Sequence, residues 1–139
     1  MVVRHFSELV CWQLARKLQR EVFRLTSKPV FDGNFDLRNQ LRDAAGSARR
    51  NMAEGFCRRT HRDQANFFAT ALASLTEVED ELGEAVDNEY VTAEEIASAL
   101  NLKKRAYVAA SRFRNSIKGR PDPPWNRWPT RRPKRRKRP

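Results

Sequence analysis

The chain has 139 residues, 40% of them hydrophobic and 32% charged, with 28 Lys and Arg against 17 Asp and Glu and a formal net charge of +11. That is material for one economical core rather than two domains, and its basicity puts phosphate-rich partners first. Five Gly are too few for a many-turned β-protein or a Gly-rich nucleotide loop. No apolar run is long enough for a transmembrane helix, and the opening Met1-Val2-Val3-Arg4-His5 lacks a signal-peptide pattern. Two cysteines, Cys11 and Cys57, make no disulfide framework, so the expected location is cytoplasmic, without a membrane partner.

Four segments have helical periodicity. From about Glu8 to Thr26, Val10, Leu14, Leu18, Val22 and Leu25 recur every three or four residues, with Ser7 placed as an N-cap. Pro29, Gly33 and Asn34 mark a loop. From about Asp36 to Glu54, Leu37, Leu41, Ala44, Ala45, Ala48 and Met52 make a narrow face whose alanines admit a neighbouring helix closely. Gly55 fits the position just past the end of that helix. The third helix starts after Thr60, three residues before Asp63, and its stripe runs through Phe68, Ala71, Leu72, Leu75, Val78, Leu82, Ala85 and Val86. Thr92 and Glu95 form a capping box that opens the fourth, whose stripe is Ile96, Leu100, Ala106, Tyr107, Ala110, Phe113 and Ile117. No segment alternates with period two. The expected fold is all-α: an antiparallel up-down four-helix bundle over residues 1–118, followed by a disordered basic tail over residues 119–139.

Charge is laid out in blocks. Residues 119–139 carry nine Lys and Arg, one acid (Asp122) and six of the seven prolines. Nine acids and no base lie between Glu77 and Glu95. Seven bases lie between Arg38 and Arg62, and six between Lys103 and Lys118. An up-down bundle brings Arg58, Arg59, His61 and Arg62 to the same end as Arg4, His5, Arg112, Arg114, Lys118 and the tail. Asp32, Asp36, Asp87, Glu89, Glu94 and Glu95 gather at the other end. Such a dipolar molecule steers a polyanion to its basic pole.

The candidate nucleic-acid contacts are therefore Arg58, Arg59, Arg62, Arg112, Arg114, Lys118, Arg120, Arg127, Arg131, Arg132, Lys134, Arg135, Arg136, Lys137 and Arg138, with the run from Arg131 to Arg138 foremost. Trp125 and Trp128 flank Arg127 and are placed to stack on unpaired bases; the competing reading is docking onto the bundle itself. Arg42, Arg49 and Arg50 serve either as phosphate contacts or as partners of the Glu77–Glu84 acids. Asn51, Glu54 and Gly55 form a structural motif, because no base, acid or metal ligand stands at a fixed distance from the carboxylate. His5 and His61 have no Cys at zinc spacing. No catalytic set, metal site or cofactor motif is present in the sequence, and no enzymatic activity is expected.

Several of these stretches together resemble a known family. Phe6-Ser7-Glu8-Leu9-Val10-Cys11-Trp12-Gln13 is similar to its opening pattern. Gln40-Leu41-Arg42-Asp43-Ala44-Ala45-Gly46-Ser47, followed by Asn51-Met52-Ala53-Glu54-Gly55-Phe56-Cys57-Arg58, resembles its most specific signature. Phe67-Phe68 and the stretch from Ala71 to Glu79 resemble its third helix. The family is that of bacterial four-helix bundle proteins first described as encoded in 23S ribosomal RNA intervening sequences. The accessory variability determinant proteins of diversity-generating retroelements are related to it. The resemblance covers about residues 6–117. Ala48-Arg49 stands where the family often has Ile-Pro, which leaves the second helix straighter and more basic, and the Pro/Arg tail is extra.

The resemblance implies a homo-oligomer, commonly a pentamer, with a basic surface that meets RNA or DNA. Its retroelement branch also implies a reverse transcriptase as partner. Two functions stand open at this point: a nucleic-acid-binding homo-oligomeric bundle using a basic pole and tail, or an accessory subunit that binds a reverse transcriptase with its template RNA or cDNA.

Overall fold

The structure, a computed structural model that describes residues 3–122, has four long helices and no strand among those residues. A 3-10 turn at Phe6–Glu8 leads into α1 (Val10–Thr26). A second at Pro29–Gly33 leads into α2 (Phe35–Phe56), and α3 (His61–Asp87) and α4 (Ala93–Ile117) follow. The short links after α2 and α3 make antiparallel neighbours. Each helix packs against its neighbours in sequence, and α4 closes the square against α1. The expected all-α bundle is what forms.

Local chemistry explains the starts. Asn34 accepts from the Leu37 N–H, and Thr60 accepts from the Asp63 N–H. Thr92 and Glu95 make both halves of a capping box. Ser7 differs from expectation: it lies inside the 3-10 turn, which His5 caps, and α1 begins at Val10 with no side-chain cap. The α1 stripe is buried as expected at Leu14, Leu18, Val22 and Leu25, but not at Val10. Cys11 is buried in line with Leu14, Leu18 and Val22, while Val10 turns outward and is 61% exposed. On α4, Ala99, Ala106 and Ala110 take the inward line, so Tyr107 swings out to the surface beside Lys103.

The core is narrow at its middle and plugged at its ends. Ala44, Ala45, Ala48, Ala71, Ala99, Ala106 and Ala110 are buried along the waist. Phe31 meets Tyr90 edge-on at one end, with centroids 5.3 Å apart. Phe56, Phe68 and Phe113 cluster at the other end, with centroids 4.7 and 6.3 Å apart. The polar residues buried in the core have partners: Ser47 and Ser74 share a 2.9 Å hydrogen bond across α2 and α3, and Gln64 donates to the Arg58 carbonyl at 2.9 Å.

Gly55 has a different role from the helix-ending one expected. It lies within α2, and a Cβ added there would stand 2.6 Å from Phe67 Cβ and 3.2 Å from the Phe68 ring. The missing side chain is what lets the last turn of α2 touch the first turns of α3. A paired substitution tests this. In an open helix, Gly→Ala stabilises by up to about 1 kcal/mol, and Gly83, with nothing within 4 Å of its added Cβ, should follow that rule. Gly55→Ala should instead destabilise by about 1–3 kcal/mol through overpacking. Urea midpoints that move in the same direction for both variants would contradict the close approach.

Candidate nucleic-acid interface

The α2–α3 link, the start of α1 and the end of α4 meet at one end of the bundle. After Ile117 the chain makes a type II-like turn: Lys118 is at φ −61°, ψ 131°, Gly119 is at φ +70°, and the Arg120 N–H reaches the Ile117 carbonyl at 3.3 Å. Only glycine takes that left-handed position without strain. The turn sends the chain across the mouth of α3. There the Asp122 carboxylate accepts from the His61 N–H at 2.9 Å, and the His61 Nδ1 lies 3.2 Å from the Arg120 carbonyl.

The result is a cleft of about 400 Å³ between α3 and α4, with Arg62, Arg114, Lys118 and Arg120 in its walls. Arg114 Nε donates to the Ala65 carbonyl at 3.0 Å, which fixes α4 against α3 and leaves the other guanidinium nitrogens for the cleft. Asp122 is the one acid in the lining. Its carboxylate sits at the N-terminus of a 27-residue helix, where the dipole and free N–H groups favour an anion.

The other predicted residues are placed differently. Arg58 is at this end but engaged: it pairs with Glu54 at 2.8 Å and lies 4.4 Å over the Phe67 ring. That pair also gives Glu54 its reason for standing near a helix C-terminus. Arg59 is exposed and has no ion pair among the described residues. Arg112 faces away from the cleft, into a groove of about 430 Å³ between α1 and α4, beside Val10, Val108, Lys104 and Arg105. Asn51 donates to the Ser47 carbonyl at 2.8 Å and belongs to the Ser47–Ser74 network, a structural role. Arg127, Arg131, Arg132, Lys134, Arg135, Arg136, Lys137, Arg138, Trp125 and Trp128 lie outside the described residues.

The α2 arginines do not pair with the α3 acids. Arg42 Nε donates to Thr26 at 2.9 Å and covers Phe23, Arg49 Nε donates to Gln19 at 2.7 Å, and Arg50 meets Asp43 at 3.4 Å. Of the twenty Lys and Arg among the described residues, six hold an acid. The unpaired majority includes Arg16 and Arg20 on α1, which the sequence reading did not select. Their signal was there: Trp12, Arg16 and Arg20 recur every four residues, one line along a helix.

The opposite end carries the acids. Lys28 pairs with Glu95, Arg38 with Asp32, and Lys103 with Glu79 at 2.5 Å. Glu77, Asp80, Glu81 and Glu84 have no basic partner among the described residues. Burial, and then the charges of Glu77, Asp80, Glu84 and Asp43, push the Glu81 carboxyl up to about 7. Burial holds the Cys11 thiol up at about 12, so it is inert. Among the described residues no group of His, Cys, Asp and Glu is placed to hold a metal, and no helix is long and apolar enough to cross a membrane.

Residues 7–108, more than half of the chain, match the model of the 23S rRNA-intervening sequence protein family, and the chain belongs to that family. Comparison with curated proteins gave no match.

The acidic face makes a pH prediction. A carboxyl raised in the folded state binds its proton more tightly there than when unfolded, so stability falls as pH rises from about 4.5 towards 7. Glu81→Gln removes that loss. It should stabilise by about 1 kcal/mol at pH 8, allowing for solvent screening of a partly exposed group, and change little at pH 4. Urea unfolding of both proteins at the two pH values checks this; an equal effect at both would refute the coupling.

Proposed function

Given a family named for an intervening sequence of ribosomal RNA, we propose that this chain is a non-enzymatic nucleic-acid-binding protein that holds RNA, or DNA, at its basic end. The observation that carries the reading is the unpaired cation set: Arg62, Arg114, Lys118 and Arg120 converge on one cleft without a neutralising partner beyond Asp122. Cations left unpaired at a folded surface are available to phosphates, and each contact releases counterions. Asp122 keeps the α3 N-terminus occupied in the free protein, and a phosphate takes its place on binding. Residues 123–139 add eight further Lys and Arg and no acid, and so add positive charge available to phosphates.

We further infer a homo-oligomer, as the family resemblance implies, with five copies the expected number. The groove between α1 and α4 supports self-association, since Val10 and Val108 are 61% and 41% exposed there. Sedimentation that returns a 16.2 kDa monomer at micromolar concentration would count against it.

Binding of a labelled RNA followed by anisotropy across a salt series tests the main reading. With six phosphate contacts, the log–log slope on single strands should be roughly −4. Removing residues 123–139 should flatten the slope and weaken binding by orders of magnitude while circular dichroism stays helical. Arg62→Ala with Lys118→Ala should cost less and lower the slope by roughly 1.4. An intact chain that does not bind RNA or DNA on its own would turn the reading toward an accessory subunit that acts only with a protein partner such as a reverse transcriptase.

A further inference from the structure

A second groove at the basic end, between the start of α1 and the second half of α2, carries a different combination of chemistry. It measures about 490 Å³ and is lined by Phe6, Trp12, Arg16, Gln19, Arg20 and Arg49 among others, with no acid in its walls. Phe6 packs on Trp12 with ring centroids 5.1 Å apart, which fixes the indole from one side. The Arg16 guanidinium lies 5.7 Å from the Trp12 centroid, so the ring already carries a planar cation. Arg16 and Arg20 hold no acid among the described residues. Arg49 is aimed by its Nε bond to Gln19, which leaves its terminal nitrogens unbonded there. The Trp12 indole N–H, shielded from solvent, has no acceptor among the described residues, a costly state for a buried donor.

We propose that this groove binds a nucleotide of a single-stranded RNA, with the base stacked in the Trp12–Arg16 layer and Arg20 and Arg49 on the flanking phosphates. The inference rests on the RNA-binding reading above and adds a site to it. Stacking on an aromatic ring needs an unpaired base, because a duplex keeps its π-faces inside. Duplex phosphates alone would use the arginines and leave Trp12 without a role.

The test uses the full chain and a fluorescein-labelled oligouridylate. Arg16→Glu with Arg20→Glu should weaken binding at least tenfold. The control, Arg24→Glu with Lys28→Glu, makes the same charge change near the far end of α1 and should cost much less. Trp12→Phe should lower single-strand affinity several-fold, leave duplex affinity nearly unchanged, and remove part of the tryptophan quenching that RNA causes. If the two charge reversals weaken binding equally, the effect is general electrostatics and the groove is no site. If the Arg16/Arg20 variant binds like the intact chain, the groove proposal fails while RNA binding elsewhere stands. If the intact chain binds no RNA, the functional reading fails first and the groove with it. Should Trp12→Phe fail to fold, the paired charge reversals still decide the question.

Discussion

The contact between the last turn of α2 and the first turns of α3 organises this molecule. It exists because residue 55 has no side chain, so Phe67 and Phe68 can lie against the α2 backbone. The alanine waist continues the close approach, and Ser47 and Ser74 meet at 2.9 Å across it. With α2 and α3 so close, the link between them is only four residues, Cys57–Thr60, and it turns tightly. Phe56 and Phe68 then reach Phe113 of α4, which draws the end of α4 to the start of α3. The basic cleft is the outer side of that aromatic plug. Its arginines are placed by the same packing that closes the core.

The second organising fact is charge that stays unpaired. Sequence blocks alone do not decide whether bases meet acids, because a bundle brings distant segments together. Here the acids of α3 do not pair with the arginines of α2, which bond instead to Gln19, Thr26 and Asp43. The molecule keeps an acidic face whose repulsion adds to burial in pushing the Glu81 carboxyl up to about 7, and a basic end with few partners. Self-repulsion of this kind costs stability, and a polyanion bound at the basic end relieves the part of it that the cations contribute.

Much of this was legible in the sequence, and what was not has physical reasons. Four stripes, the Thr60 and Thr92 caps and the clustering of bases at one end follow from periodicity and spacing. Gly55 was misplaced because a glycine that ends a helix and one that admits a neighbour look alike in one dimension. Val10 and Tyr107 were assigned inward by hydrophobicity, but the phase set by Leu14, Leu18 and Val22, and by Ala106 and Ala110, turned them out. Arg112 and Arg114 are two residues apart and so face nearly opposite sides of α4; helical geometry separates them where a charge count merges them. Asp122 against His61 joins positions 61 residues apart through a glycine turn, and no local pattern announces it. Trp12, Arg16 and Arg20 stand at four-residue spacing, but on an amphipathic helix such a line reads equally well as the solvated face.

The account stands on one claim: nucleic acid meets the end of the bundle where α2 joins α3, and not the acidic end. Photo-crosslinking of the intact chain to an RNA carrying 4-thiouridine, with peptide mapping by mass spectrometry, reads this directly. The account predicts adducts on peptides containing Trp12 to Arg20, Arg59 to Arg62 and Arg112 to Arg120, and none on the stretch from Glu77 to Glu95. Adducts concentrated on that acidic stretch, or spread evenly over the four helices, would contradict it.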